Sequence, residues 1–242
     1  LMSTMVMQDV QNLLRDRIRF QAGQTSGSAI FNRYPTPFGE LELLDDIFIK
    51  EGDVPVASSL TSSRSDTPTE DVAPAGSGTD DGTQFTSADI GEYYYKVEAV
   101  NKYGASTPLT CTAVTLTTVG ETVTMDIGPG AVAPTALKVY RSKKGAGSAA
   151  DCRYMKTVEY TGDPTTITDD NSDLPGTSQV FVLTMDQIYD AIEWFQFLPL
   201  MKFDLYPTNE AVYPFLMLLF GALALKKPEQ HSYIKNVSPA SM

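Results

Sequence analysis

The chain has 242 residues, is 42% hydrophobic and 20% charged, and carries 18 Lys+Arg against 30 Asp+Glu for a formal net charge of −12. This length and apolar content suit one large domain or two of ordinary size, and they exclude a chain disordered throughout. The negative charge argues against a surface that grips nucleic acid or coats anionic membrane; two cysteines are too few for a disulfide scaffold, and the single histidine, His231, leaves little room for His-based catalysis or a zinc site.

The chain opens at Leu1 with residues that read as mid-domain, as expected of a piece of something longer. Leu1–Met7 is apolar but lacks a basic leader and a small-residue cleavage site, so it is not a signal peptide. A helix is expected next, capped by Ser3 or Thr4, with Val6, Val10, Leu13, Leu14 and Ile18 at helical spacing and Gly23 at its end. A polar loop, Gln21–Ser28, leads into strands at Ala29–Tyr34 and Gly39–Ile49, joined by a turn at Pro35-Thr36-Pro37.

Residues 56–90 are rich in Ser, Thr, Asp and Gly and read as a linker or long loop. From Glu92 the texture is β. Tyr93, Tyr95, Val97 and Ala99 alternate with Tyr94, Lys96 and Glu98, the period of a strand with one buried face. Further strands are expected at Leu109–Thr118, Thr122–Ile127, Ala136–Ser142, Tyr154–Tyr160 and Thr165–Asp169. Turn signals fall at Asn101–Gly104, Gly128-Pro129-Gly130 and Lys143–Gly147. Many short strands between turns predict a small antiparallel sandwich.

Beyond it come a strand at Gln179–Leu183 and a short helix introduced by a Thr184-x-x-Gln187 capping box, with Ile188, Ile192 and Phe195 on one face and Pro199 limiting its length. Apolar strands follow at Leu200–Tyr206 and Phe215–Leu225, and a closing strand at Ser232–Val237. Phe215–Leu225 is the longest apolar run and is too short for a bilayer-spanning helix. Its apolar residues come in succession, which predicts a strand buried on both faces in a soluble protein. The apolar third segment, with Trp194, Phe195, Phe197 and Phe203, reads mostly as core, with contact surface as the alternative for part of it.

Charge divides the chain. Residues 1–50 hold 5 basic and 6 acidic residues, 51–176 hold 9 and 18, and 177–242 hold 4 and 6, so the middle carries −9 and the ends −1 and −2. An acidic module inserted in a loop of a nearly neutral host produces such a division. The expected organisation is host residues 1–54, insert 55–176 and host 177–242.

Little in the chain resembles a catalytic motif: there is no G-x-S-x-G, no P-loop and no G-x-G-x-x-G. Gly145-Ala146-Gly147 is a hairpin tip without a following helix, not a phosphate cradle. Asp169-Asp170-Asn171-Ser172-Asp173 is a weak calcium-loop candidate through Asp169, Asp170 and Asp173. It lacks the Gly and distant Glu of an EF-hand, so an acidic turn is the preferred reading. Asp80-Asp81 is treated the same way. Cys111 and Cys152 read as two buried thiols. His231 sits in a Lys/Pro/Glu/Gln turn with no second His or acid at triad spacing, which points to a surface or interface rather than catalysis.

The two ends together resemble tailed-phage major capsid proteins. Leu1–Val10 is similar to the stretch where a strand enters a helix of the capsid's P and A domains, and Phe38–Leu43 with Asp46–Ile49 to the next sheet element. Leu219–His231 followed by Ile234–Val237 resembles the ending of such proteins: an apolar strand, a basic turn with proline and a final strand. In the middle, Tyr93–Ser106, Leu137–Ser142 and Thr166–Asp170 resemble a fibronectin type III or related Ig-like module.

The resemblance implies an α+β fold: a Hong Kong 97-like capsid core with an inserted β-sandwich. The family's N-terminal arm, extended E-loop and long spine helix have no counterpart here. It implies a non-enzymatic structural protein without cofactors, located in the virion after assembly in the host cytoplasm. Its partners would be copies of itself in hexamers and pentamers, with scaffold, portal and decoration proteins as further candidates. It would enclose DNA without specific binding and would touch no membrane. In that setting Arg15, Arg17, Arg19 and His231 are candidate subunit-interface residues. The three arginines would pair with neighbouring carboxylates, or else form a solvated last helical turn. The competing reading is an adhesin or carbohydrate-binding fragment built on the Ig-like module. That reading needs serial β-modules, whereas a capsid protein needs the two ends to fold as one host domain.

Overall fold

The structure, a computed structural model, describes residues 1–15, 33–36, 39–49, 52–55, 66–78, 85–185, 189–205 and 214–238. The chain divides into two units, one of Leu1 with residues 181–233 and the other of residues 2–180 with 234–242. Among the described residues no helix is long and apolar enough to cross a membrane.

In the larger unit, α1 spans Thr4–Arg15. The amide of Met7 donates to the Ser3 carbonyl at 2.9 Å, which places Ser3 at the N-cap. Met2, Val6 and Met7 are buried with Leu43, and Val10, Val180 and Val237 pack on them. Met2 is held by its amide to the Leu44 carbonyl and by its own carbonyl to the Asp46 amide. Leu13, expected on the apolar face, is exposed. The expected continuation through Ile18 to Gly23 lies outside the described residues.

Strands β1 (Arg33–Thr36) and β2 (Gly39–Glu42) pair antiparallel, with Arg33 opposite Glu42 and Thr36 opposite Gly39. The second is shorter than the expected Gly39–Ile49; of the first, residues 29–32 lie outside the described residues, and Pro35 and Thr36, expected in a turn, belong to the strand. The second ends because Asp46 turns the chain, its side chain accepting from the Phe48 amide at 2.9 Å. Ile47 and Phe48 therefore lie outside any strand and are exposed.

The rest of this unit is antiparallel β. The strands are β3 (Thr69–Ser77), β4 (Glu92–Tyr93), β5 (Tyr95–Asn101), β6 (Gly104–Ala105), β7 (Leu109–Thr110), β8 (Val114–Thr115), β9 (Thr122–Gly128), β10 (Ala136–Arg141), β11 (Arg153–Glu159) and β12 (Thr165–Asp169). One sheet runs β11-β10-β5, with β6 and β7 both on the far edge of β5; the other runs β12-β9-β3; β4 and β8 form a small third pair. Tyr95, Val97, Ala99, Leu137 and Val139 from the first sheet share one core with Val123, Met125, Ile127 and Ile167 from the second. Alternation drives this arrangement, since β9 and β12 bury every second residue.

Two expectations change. Residues 56–90 are not all linker: β3 lies within them and pairs with β9 through two register shifts. Its sequence, Thr-Glu-Asp-Val-Ala-Pro-Ala-Gly-Ser, shows no alternation because it is a largely exposed edge strand, where proline and bulges are tolerated. Leu109–Thr118 is not one strand but two two-residue pieces.

Strands β13 (Ser178–Val182) and β16 (Ser232–Val237) pair with each other, and β14 (Ile192–Asp204) pairs with β15 (Phe215–Leu225). The helix expected after Thr184 is overturned from Ile192 onward. The Thr184 hydroxyl donates to the Gln230 carbonyl at 2.8 Å instead of capping a helix. Residues 192–204 are rich in aromatic and branched side chains and gain a ladder with β15, which outweighs their weak helical spacing. Pro199 falls where the register shifts, so no ladder bond is lost to it. The expected capping residue Gln187 and apolar Ile188 lie outside the described residues.

Candidate functional site

The inward faces of two strands each end in a charge. On β10 the inward residues are Leu137, Val139 and Arg141; on β12 they are Thr165, Ile167 and Asp169. The Arg141 Nη1 meets Asp169 Oδ2 at 2.6 Å, with both side chains almost wholly buried. The Tyr95 hydroxyl donates to the same oxygen at 2.7 Å. Arg141 Nη2 donates to Asn171 Oδ1 at 2.6 Å, and the Asn171 amide donates to Asp169 Oδ1 at 2.9 Å. The guanidinium lies 5.3 Å from the Phe85 ring centre and 5.5 Å from that of Tyr93. Burial pulls Arg141 down, but the Asp169 carboxylate and the Tyr95 and Tyr93 phenols beside it together outweigh this and raise it above its ordinary value. Burial, then the charge of Asp169, holds the Tyr95 phenol well above its usual range. This node ties β10 to β12 across the two sheets; both Nη atoms are bonded within it, while the Arg141 Nε is buried without a hydrogen-bond partner among the described residues. The charge of each partner is neutralised by the other, so its chemistry is structural.

The acidic stretch resolves into separate tasks. Asp169 belongs to the buried pair. Asp170 turns outward and accepts from the Ser172 amide at 3.0 Å; bonding to Ser172 outweighs its partial burial and lowers its carboxyl. Asp173 bonds Lys235 at 3.2 Å. Among the described residues no group of three His, Cys, Asp or Glu side chains is disposed to hold a metal ion. Cys111 and Cys152 are both free and buried, and burial pushes their thiols up to about 12 and about 11.

His231 is half-buried, its Nδ1 accepting from the Thr184 amide at 3.2 Å, so it ties down the turn after β13. Arg15 is the last residue of α1, and Arg17 and Arg19 lie outside the described residues. The structure thus does not gather the four candidate interface residues into one described surface.

The larger finding concerns β14 and β15. Phe215–Leu225 is a strand over the expected bounds, but it is not buried on both faces. Its ladder partner is β14, and the two form a two-stranded sheet. Leu219 is 54% exposed, Leu223 68% and Phe197 73%; Trp194 and Phe203 are exposed as well. Cross-strand pairing puts Trp194, Leu219 and Leu223 on one face and Leu198, Phe203, Leu216 and Phe220 on the other. Gly221 makes room for the Trp194 indole: a Cβ there would overlap the indole ring and stand 3.0 Å from the Phe195 carbonyl. Charges sit only at the ends. Lys226 pairs with Asp190 and Glu193 at one, Lys202 with Asp204 at the other.

No family model matches the chain, and no solved structure matches it. The chain is 31% identical over 147 residues to the major capsid protein of Staphylococcus phage K, and equally to the major capsid proteins of Staphylococcus phages S25-3 and S25-4. Each match covers 59% of this chain and 31% of the relative, so the aligned part spans under a third of the length of those relatives. This distant likeness supports a phage capsid protein, and a β-rich fold with one described helix is compatible with it.

Proposed function

We propose that the chain is a structural part of a tailed-phage major capsid protein, that copies of it assemble into the icosahedral shell around the genome, and that it performs no bond chemistry. The observation that carries the reading is the 31% identity over 147 residues to phage major capsid proteins. The exposed apolar ribbon supports it, because a chain that works alone rarely leaves such a surface in water. The acidic balance fits a protein that encloses DNA rather than binding it.

Within this proposal the fold is a Hong Kong 97-like core interrupted by an Ig-like module. Residues 1–54 and 177–242 form the host and 55–176 the insert. The cluster of Met2, Val6, Met7 and Leu43 with Val180 and Val237 supports it, since those residues come from the two ends of the chain. Hexamers and pentamers of the same chain are the primary partners, with scaffold, portal and decoration proteins around them. The virion is the place of action, reached by assembly in the host cytoplasm.

Electron microscopy of the expressed protein tests this. Shells, tubes or capsomer rings are expected. A chain that stays dispersed while binding an immobilised glycan would replace the capsid reading with an adhesin.

A further inference from the structure

We propose that the β14–β15 ribbon is the contact through which one copy of this chain holds others, and that each of its two faces takes a different neighbouring copy. The proposal rests on the self-assembly reading above and names the surface and the partner.

Three observations carry it. The first is area. Thirteen large apolar residues of the ribbon are exposed, most of them by about half. Together they uncover on the order of 1,000 Å², roughly 500 Å² on each face, so each face alone matches the largest apolar patch of a typical monomer, about 300–600 Å² and often functional, and the ribbon carries two of them back to back. The second is charge. The chain carries −12, which disfavours bringing two copies together at most faces. The ribbon holds only Glu193, Lys202 and Asp204, and contacts within the chain already engage these at its ends. Two copies can meet there without opposing carboxylates, with an apolar centre and a polar rim. The third is two-sidedness. Trp194, Leu219 and Leu223 line one face, Phe220 and Leu216 the other. A twofold dimer would bury one face and leave the other wet, so association must continue past the dimer, as rings and shells require.

Trp194 is the anchor of the first face. It is the only tryptophan of the chain, 51% exposed, and seated over Gly221. A large rigid side chain held flat before binding has little freedom left to lose.

The test uses the whole chain, by light scattering and sedimentation over a wide dilution series, following Trp194 fluorescence. The expected result is species larger than a dimer at high concentration, with Trp194 emission shifting blue as mass rises. Leu219→Lys with Leu223→Lys blocks one face, and Leu216→Lys with Phe220→Lys the other. Each pair should stop growth at a dimer or below. All four together should give a monomer whose far-UV circular dichroism matches the parent. A parent chain that is monomeric throughout, or that associates without any change at Trp194, overturns the proposal. If the fourfold variant loses its β spectrum, the ribbon is an interior strand pair and the proposal also falls. If it still forms shells, the capsid reading stands and the ribbon is not the contact. Ribbon-dependent oligomers that never form shells would keep the contact and remove the capsid.

Discussion

Asp169 illustrates how a residue's role turns on the face it occupies. Within its acidic run it looks like a solvated loop residue, but it is the third inward position of Thr165-x-Ile167-x-Asp169 and meets Arg141 in the core. Asp169→Asn should leave the guanidinium buried without its counter-ion and cost about 3–5 kcal/mol in urea unfolding. Replacing both partners, Arg141→Met with Asp169→Leu, should recover most of that loss; equal destabilisation by the single and double changes would show the pair is not the clamp. The buried phenols set an alkaline limit. Burial and then the Asp169 charge raise Tyr95, while burial and then its bond to Glu98 raise Tyr140. An unfolded phenol ionises near 10.0, whereas these two ionise only above it when folded. Above that point the unfolded chain sheds protons that the folded chain keeps. Their contribution is therefore complete below pH 10 and is lost as pH rises through the folded values. Urea midpoints should fall above pH 10, with part of the phenolate absorbance appearing only on unfolding.

At the scale of elements, β3 is where local pattern is weakest and placement most specific. Glu70 reaches across to accept from the Thr112 amide at 2.8 Å and its hydroxyl at 3.1 Å, fixing the strand's start. The approach to β3 passes close to the chain leaving β9: a Cβ on Gly130 would stand 2.5 Å from the Thr67 carbonyl oxygen and 2.7 Å from Asp66 Cβ. Because the nearest obstacle is backbone, Gly130→Ala should destabilise the sandwich by about 1–3 kcal/mol in urea unfolding. An unchanged midpoint would mean that residues 66–68 do not lie against that turn. The ribbon shows the opposite case: its strand pattern is strong, yet its surroundings are not those the pattern implies. Successive apolar residues specify burial on both faces without specifying which molecule provides it.

For the whole molecule, the uneven charge and the buried cluster at the ends bear on the same organisation. All of Met2, Val6, Met7, Leu43, Val180 and Val237 lie outside residues 55–176, so the proposed host core does not need the acidic middle. Replacing 55–176 by a short Gly/Ser linker should leave a soluble protein that keeps α1 and a β spectrum by circular dichroism. An insoluble product, with the separate ends folding independently, would rule out a discontinuous host domain.

Periodicity determined much of this protein from sequence alone. Helix α1 began where Ser3 and the Val6–Val10 spacing placed it, β12 and β15 matched their expected bounds, and most other sandwich strands lay within two residues of theirs. These features depend on neighbours a few positions away, which a sequence displays directly. What only the tertiary structure decided depends on partners far along the chain. Strand β3 exists because β9 offers it a ladder, residues 192–204 are extended because β15 lies beside them, and Asp169 is core because Arg141 stands opposite. The candidate site followed the same rule: the apolar residues of the ribbon were visible in sequence, but their exposure was not, because exposure is set by which layers the rest of the chain brings to cover them.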